Sequence, residues 1–135
     1  MNQNLPPITL TRPDHDKLSA LAVAYLDHAP TVAEYLEREV GRATVVAPDR
    51  IRGDVVTMGS TVRFRDEQTG QDRTVTLVYP GAEDITAGRI SVITPIGAAL
   101  VGLAAGQSIV WHTRTGEARE LTVLSVERAP AAASA

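Results

Sequence analysis

The sequence predicts an α+β protein, in which a short N-terminal antiparallel helical hairpin precedes an antiparallel sheet with one short helix. Three observations carry this. Apolar residues recur at helical spacing as far as about residue 42, and from Thr44 onward the period shortens to that of strands. Within the strand-rich half, a single Thr-Pro pair opens a short apolar run. The segments divide as residues 1–10, an arm; 11–43, the hairpin; 44–128, the sheet domain; and 129–135, an Ala/Pro-rich flexible tail.

In the arm, Ile8-Thr9-Leu10-Thr11 suits one edge strand. Thr11-Arg12-Pro13-Asp14 then reads as a helix start. Thr11 caps, Pro13 sits where a missing N–H costs nothing, and Asp14 meets the positive end of the dipole. Leu18, Leu21, Ala22 and Tyr25 lie at i, i+3, i+4 and i+7, along one helix face. Asp27-His28-Ala29-Pro30 breaks the helix, because a proline disfavours helical geometry at the residue before it. The spacing predicts a turn of three or four residues. Thr31 and Glu34 have the spacing of a capping box for the second helix. Val32, Leu36 and Val40 form its stripe beside Tyr35, Glu34 and Arg38 have the spacing of an outward pair, and Gly41 marks the end. Each helix is about 20 Å long at ~1.5 Å per residue. A pair that short is marginal alone and needs a body to pack on.

The strands follow. Val62 and Phe64 alternate with Arg63 and Arg65, and Gln68-Thr69-Gly70-Gln71 turns the chain. Val75, Leu77 and Tyr79 alternate with Thr74, Thr76 and Val78 until Pro80-Gly81 stops the strand. Ile90-Ser91-Val92-Ile93 is a third strand. Thr94 caps and Pro95 opens the short helix, whose apolar residues are Ile96, Ala99, Leu100 and Leu103, with Gly106 as its stop. Gln107–Thr113 and Arg119–Glu127 form a last hairpin about Arg114-Thr115-Gly116-Glu117. The expected core is Val62, Phe64, Val75, Leu77, Leu100, Leu103, Ile109, Trp111 and Val123.

Composition narrows the function classes. The chain has 135 residues, 44% apolar and 21% charged, which fits one folded domain with an appendage and argues against disorder. No apolar run approaches the ~20 residues of a membrane span, and the N-terminus lacks a secretion-signal pattern. There is no cysteine, hence no disulfide, thiol nucleophile or thiolate metal site, as suits a cytoplasmic protein. Net charge is −3, and Phe64, Trp111, Tyr25, Tyr35 and Tyr79 are the five aromatic residues. Direct, specific DNA binding is not expected.

Candidate chemistry is sparse. His15, His28 and His112 have no metal-ligand spacing and read as surface residues. Gly97, Gly102 and Gly106 flank an apolar helix with no lysine following, so they are packing and stop signals rather than a phosphate loop. The hairpin tip carries Asp27 and His28, with Glu34 a turn inside the second helix. One carboxylate makes a poor magnesium site. Asp66, Glu67, Asp72, Glu83 and Asp84 fall in or beside turns. No catalytic, cofactor or metal residue is expected.

Asp54-Val55-Val56-Thr57-Met58, then Leu77-Val78-Tyr79-Pro80, then Ile90 through Leu103 resemble the Gre family of bacterial transcription elongation factors. The resemblance is greater to its Rnk branch, the regulators of nucleoside diphosphate kinase. The most specific part is the strand followed by Thr94-Pro95-Ile96-Gly97-Ala98-Ala99-Leu100-Val101-Gly102-Leu103, with Gly106-Gln107-Ser108-Ile109 after it. This resemblance implies an FKBP-like fold for residues 44–128 and a short coiled coil before it. It also implies RNA polymerase as partner, with docking at the rim of the secondary channel on the largest catalytic subunit. The family's docking segment maps to Ile93, Thr94, Pro95 and Ile96. Some cleavage factors carry an acid just before the Ser-Pro; here that position is Ile93.

The expected function is therefore a monomeric, non-enzymatic regulator that occupies the channel mouth and competes with Gre factors. The alternatives are an active transcript-cleavage factor, an FKBP-like peptidyl-prolyl isomerase, or an interaction module for another partner. The polymerase affinity is expected to reside in the sheet domain.

Overall fold

A computed structural model describes residues 5–113 and 115–128. The expected tail, the first four residues of the arm and Arg114 of the last turn lie outside the described residues.

Strand β1 (Thr9–Thr11) leads directly into helix α1 (Arg12–Ala24). Thr11 is the extended N-cap, and its side-chain oxygen accepts from the Asp14 N–H at 3.3 Å. Residues 25–29 form the connection, longer than the expected three or four. The Ala29 amide donates to the Tyr25 carbonyl at 2.8 Å and closes it. Helix α2 (Pro30–Arg42) follows. Its cap is Ala29, with no side-chain hydrogen bond, so the expected Thr31–Glu34 capping box does not form. The physical reason is Pro30. It occupies the first helical position, which places the cap before it and Thr31 inside the helix. Among the described residues Glu34 and Arg38 form no ion pair either; Arg38 lies over the Tyr35 ring, 5.9 Å from its centroid.

After α2 the chain forms strand β2 (Thr44–Val46), which pairs in parallel with β1 as a separate two-stranded sheet. Arg42 fastens this corner. It donates twice to the buried Glu39 carboxylate, at 2.8 and 3.0 Å, and once to the Pro6 carbonyl at 2.6 Å.

The main sheet holds β3 (Thr61–Asp66), β4 (Gln71–Val78), β5 (Arg89–Ser91), β6 (Ser108–His112) and β7 (Ala118–Glu127). Its order is β5-β4-β3-β7-β6. It is not wholly antiparallel as expected, since β5 runs parallel to β4. Residues 79–88 carry the chain back along the sheet, and a backbone bridge between Asp84 and Arg89 closes that excursion. A parallel neighbour requires such a crossover; a tight Pro-Gly turn would have given an antiparallel one. β5 is also shorter than the expected Ile90–Ile93 strand. It ends at Ser91, whose hydroxyl oxygen accepts from the Ile93 N–H at 3.0 Å and bends the chain away.

Helix α3 (Pro95–Leu100) lies between the helical pair and the sheet. Its end is Val101 followed by Gly102, with φ +86°, rather than the expected Gly106. Gly102 is needed there for a second reason. A Cβ on it would come within 2.9 Å of the Ile8 Cβ in the N-terminal arm.

All nine expected core residues are buried. The core also takes in Ile8, Leu10, Leu18, Ala22, Val32, Leu36 and Val40 from the first third of the chain. These join Val62, Phe64, Leu77 and Leu100 in one continuous apolar cluster. The helical pair thus finds the body that its length requires. No helix among the described residues is long and apolar enough to cross a membrane.

Two stability predictions follow from α3. Leu100 is fully buried, so Leu100→Ala should cost about 2–5 kcal/mol in denaturant unfolding. Gly97→Ala tests the sign of a close contact. Helix propensity alone favours alanine by about 1 kcal/mol. Yet a Cβ at Gly97 would meet the Ser91 carbonyl oxygen at under 3.0 Å and the Val92 Cα at 2.9 Å. The clash should win, with a net loss of about 1–3 kcal/mol; an unchanged or raised melting midpoint would show that α3 can shift freely.

Candidate functional site

The segment from Ser91 to Gly97 closes most of its hydrogen bonds on itself. Buried Ser91 accepts from the Ile93 N–H. The Thr94 hydroxyl donates to the Ser91 carbonyl at 2.7 Å and accepts from the Gly97 N–H at 3.0 Å. The Ala98 N–H donates to the Thr94 carbonyl at 2.9 Å, completing the first turn of α3. Pro95 needs no N–H partner and holds its own φ. Thr94 and Pro95 therefore fix the loop, as the sequence predicts. Gly97 supplies what sequence spacing alone does not convey: it lets the loop press against the backbone at Ser91 and Val92.

The consequence is a rigid, partly exposed row of Ile93, Thr94, Pro95 and Ile96. It lines a groove of about 530 Å³ together with Tyr25, Val75, Ile85, Ile90 and Trp111, with Arg73 and Glu83 also contributing. Ile85 is 80% exposed, an unusual position for so large an aliphatic side chain. It stands on a single 3₁₀ turn, Ile85–Ala87. Asp84 braces that turn. The Thr86 hydroxyl at 2.7 Å and the Ala87 N–H at 3.3 Å donate to its carboxylate, and these bonds hold its pKa below the ordinary value.

The tip residues Asp27 and His28 are exposed. The tip does not stand apart from the loop. Tyr25 shares the groove with Ile93–Ile96, and the His28 ring lies tilted against Tyr25 with centroids 6.0 Å apart. The signal for this was the position of Tyr25 at i+7 of the α1 stripe, although that pattern does not say what the stripe faces.

Asp14 holds the other end of α1 in place. Besides meeting the helix dipole, its carboxylate accepts from the Met58 N–H at 3.2 Å and from the Tyr79 hydroxyl at 3.1 Å. Burial, then the Asp14 charge and hydrogen bond, push the Tyr79 pKa upward. Lys17 sits over the same ring, 5.7 Å from its centroid.

Two other carboxylates serve the sheet. Asp66 pairs with Arg119 at 2.7 Å, and Asp72 pairs with Arg63 at 2.7 Å and Arg65 at 3.4 Å. Among the described residues, no group of three or more His, Cys, Asp or Glu is placed to hold a metal ion. His15 is partly buried and touches Asp16, and His112 is exposed on β6. What the 91–97 region offers is shape and apolar contact.

Residues 51–128 match the family model for the C-terminal part of the transcription elongation factors GreA and GreB. Residues 6–46 match the model of the Rnk N-terminus. The chain is 38% identical over 128 residues to the regulator of nucleoside diphosphate kinase of Escherichia coli K12, covering 95% of this chain and 94% of that protein. It is 36% identical over 91 residues to GreA of Azorhizobium caulinodans, covering 67% of this chain and 57% of that one. A solved structure of a prokaryotic GreA/GreB elongation factor from Nitrosomonas europaea superposes with a TM-score of 0.71 at 38% identity, over 90% of this chain and 98% of that one. The loop that Thr94 and Gly97 hold in place falls inside the GreA/GreB match and the helical pair inside the Rnk match, so the chain belongs to the GreA/GreB family of transcription factors, in its Rnk-type branch.

Proposed function

We infer that this chain is a cytoplasmic, monomeric, non-enzymatic transcription regulator that binds RNA polymerase at the rim of the secondary channel. Ile93, Thr94, Pro95 and Ile96, on an FKBP-like domain, make the contact with the largest catalytic subunit. The observation that carries this is the self-bonded, partly exposed apolar loop in a family of transcription factors. A loop whose hydrogen bonds are already closed loses little freedom on binding. With Ile93 in place of an acid, the contact is apolar, and Ile85, Ile90 and Tyr25 extend it across the groove.

Transcript cleavage is not part of this function. Each helix has 13 residues, hence a length of about 20 Å. The tip offers Asp27, and a single carboxylate is weak help for a magnesium ion, which takes oxygen ligands and keeps several waters. The tip residue His28 also shares a cavity with Pro95 of the docking loop, a poor position for a probe that has to reach far beyond it. The protein acts instead by occupying the channel mouth and excluding longer Gre factors.

Two measurements test this with the full chain. Purified polymerase should bind it, and Ile96→Asp should weaken binding by about tenfold or more by forcing a charge into an apolar contact. Unchanged affinity would remove the loop from the interface. In a stalled, backtracked elongation complex with magnesium, the chain should release no short 3′ RNA and should reduce the cleavage stimulated by an added Gre factor. Cleavage that vanishes in Asp27→Ala would make the tip catalytic and end the occlusion model.

A further inference from the structure

A second cavity, of about 370 Å³, shares Pro95, Trp111 and Thr113 with the first groove. Tyr35, Trp111, Pro95 and Ala98 give it aromatic and apolar walls. Arg38, His28 and His112 line it as well. None of its lining residues is Asp or Glu, in a chain with 16 acids against 13 lysines and arginines. Arg38 differs from several of the other arginines. Arg42, Arg52, Arg63, Arg65 and Arg119 each pair with a carboxylate, whereas Arg38, among the described residues, has no ion pair. Its guanidinium is instead held over the Tyr35 ring at 5.9 Å.

We propose that this cavity binds a small planar organic anion, with its ring against Tyr35 and Trp111 and its negative group at Arg38. The volume sits at the low end of the ~300–1,000 Å³ usual for small-molecule sites, which suits a single ring. Aromatic walls favour a flat apolar body. A planar guanidinium is suited to carboxylate or phosphate groups, whose oxygens match its fork of donors. Missing acids matter because a carboxylate in the lining would both neutralise Arg38 and repel the ligand. The imidazoles of His28 and His112 add ring nitrogens that can donate to the anion. The proposal does not rest on polymerase binding.

Trp111 is the chain's single tryptophan and lines both cavities, so its emission reports occupancy, and loss of the signal in variants of Arg38, which lines this cavity and not the first, assigns it here. The full-length protein is titrated by calorimetry and by tryptophan emission with phenyl phosphate, benzoate, phenol and inorganic phosphate. Saturable binding of phenyl phosphate or benzoate is expected, with a matching change in emission. The better of these two should bind about tenfold more tightly than phenol or inorganic phosphate. Whichever wins distinguishes a phosphate-bearing from a carboxylate-bearing ligand. Arg38 is exposed, so Arg38→Ala and Arg38→Gln should keep the parent melting midpoint and weaken binding by about tenfold. The proposal is overturned if neither charged aromatic binds saturably, if phenol or inorganic phosphate binds equally well, if heat appears without a change in emission, or if both Arg38 variants keep the parent affinity.

Discussion

The close approach of α3 to the end of β5 is the constraint on which the rest of the structure depends. No side chain fits at Gly97, because the Ser91 carbonyl and the Val92 Cα occupy the space. That contact permits the Thr94 hydroxyl to bond Ser91 and Gly97 together, which sets the course of the loop. It also places Ala98, Ala99 and Leu100 fully inside the core. Small residues on α3 leave room for α2 on one side and the sheet on the other. A bulkier helix would have held these layers apart, because packed interiors tolerate few voids and little overlap.

From this follows the position of the helical pair. α2 has an apolar stripe of Val32, Leu36 and Val40 that a pair of short helices cannot satisfy alone. Packing it near α3 merges that stripe with the sheet's core. Polar fastenings then set the ends. Asp14 ties α1 to Met58 and Tyr79, and Arg42 ties the end of α2 to Glu39 and Pro6. The Glu39–Arg42 pair, with Glu39 buried and Arg42 partly exposed, is bidentate and almost adjacent in sequence, so its contribution is more to fix geometry than to add net stability. Held in this way, the tip lies beside the Ile93–Ile96 loop, and the two grooves share Pro95 and Trp111 as a wall.

How legible the fold was depends on how local each cause is. Thr11 as a cap, the alternation through Val62 and Phe64, and the Thr94-Pro95 start all depend on a few neighbouring residues, and each is found where expected. The capping box at Thr31 failed on an equally local competitor, Pro30, whose claim on the first helical position is stronger. The direction of β5 was not legible. A short apolar segment looks alike whichever way its neighbour runs, and the crossover through residues 79–88 sets the direction. Of the candidate site, the loop itself was visible in Ile93–Ile96. Tyr25, Ile85 and Trp111 were not seen as its neighbours, since they reach it from α1, a 3₁₀ turn and β6.

Taken alone, the amino-acid order determined the helix-then-strand division, most element starts, and nine residues of the sheet domain's core, though not Val56, Val92 or Leu121. It did so because periodicity and capping act over a few residues. Only the tertiary structure decided that one core serves both halves, that β5 is parallel to β4, and that the tip lies beside the Ile93–Ile96 loop. Those outcomes depend on which apolar faces meet across long stretches of chain. The faces are written in the sequence, but their partners are chosen by shape, at contacts such as Gly97 against Ser91 and Gly102 against Ile8.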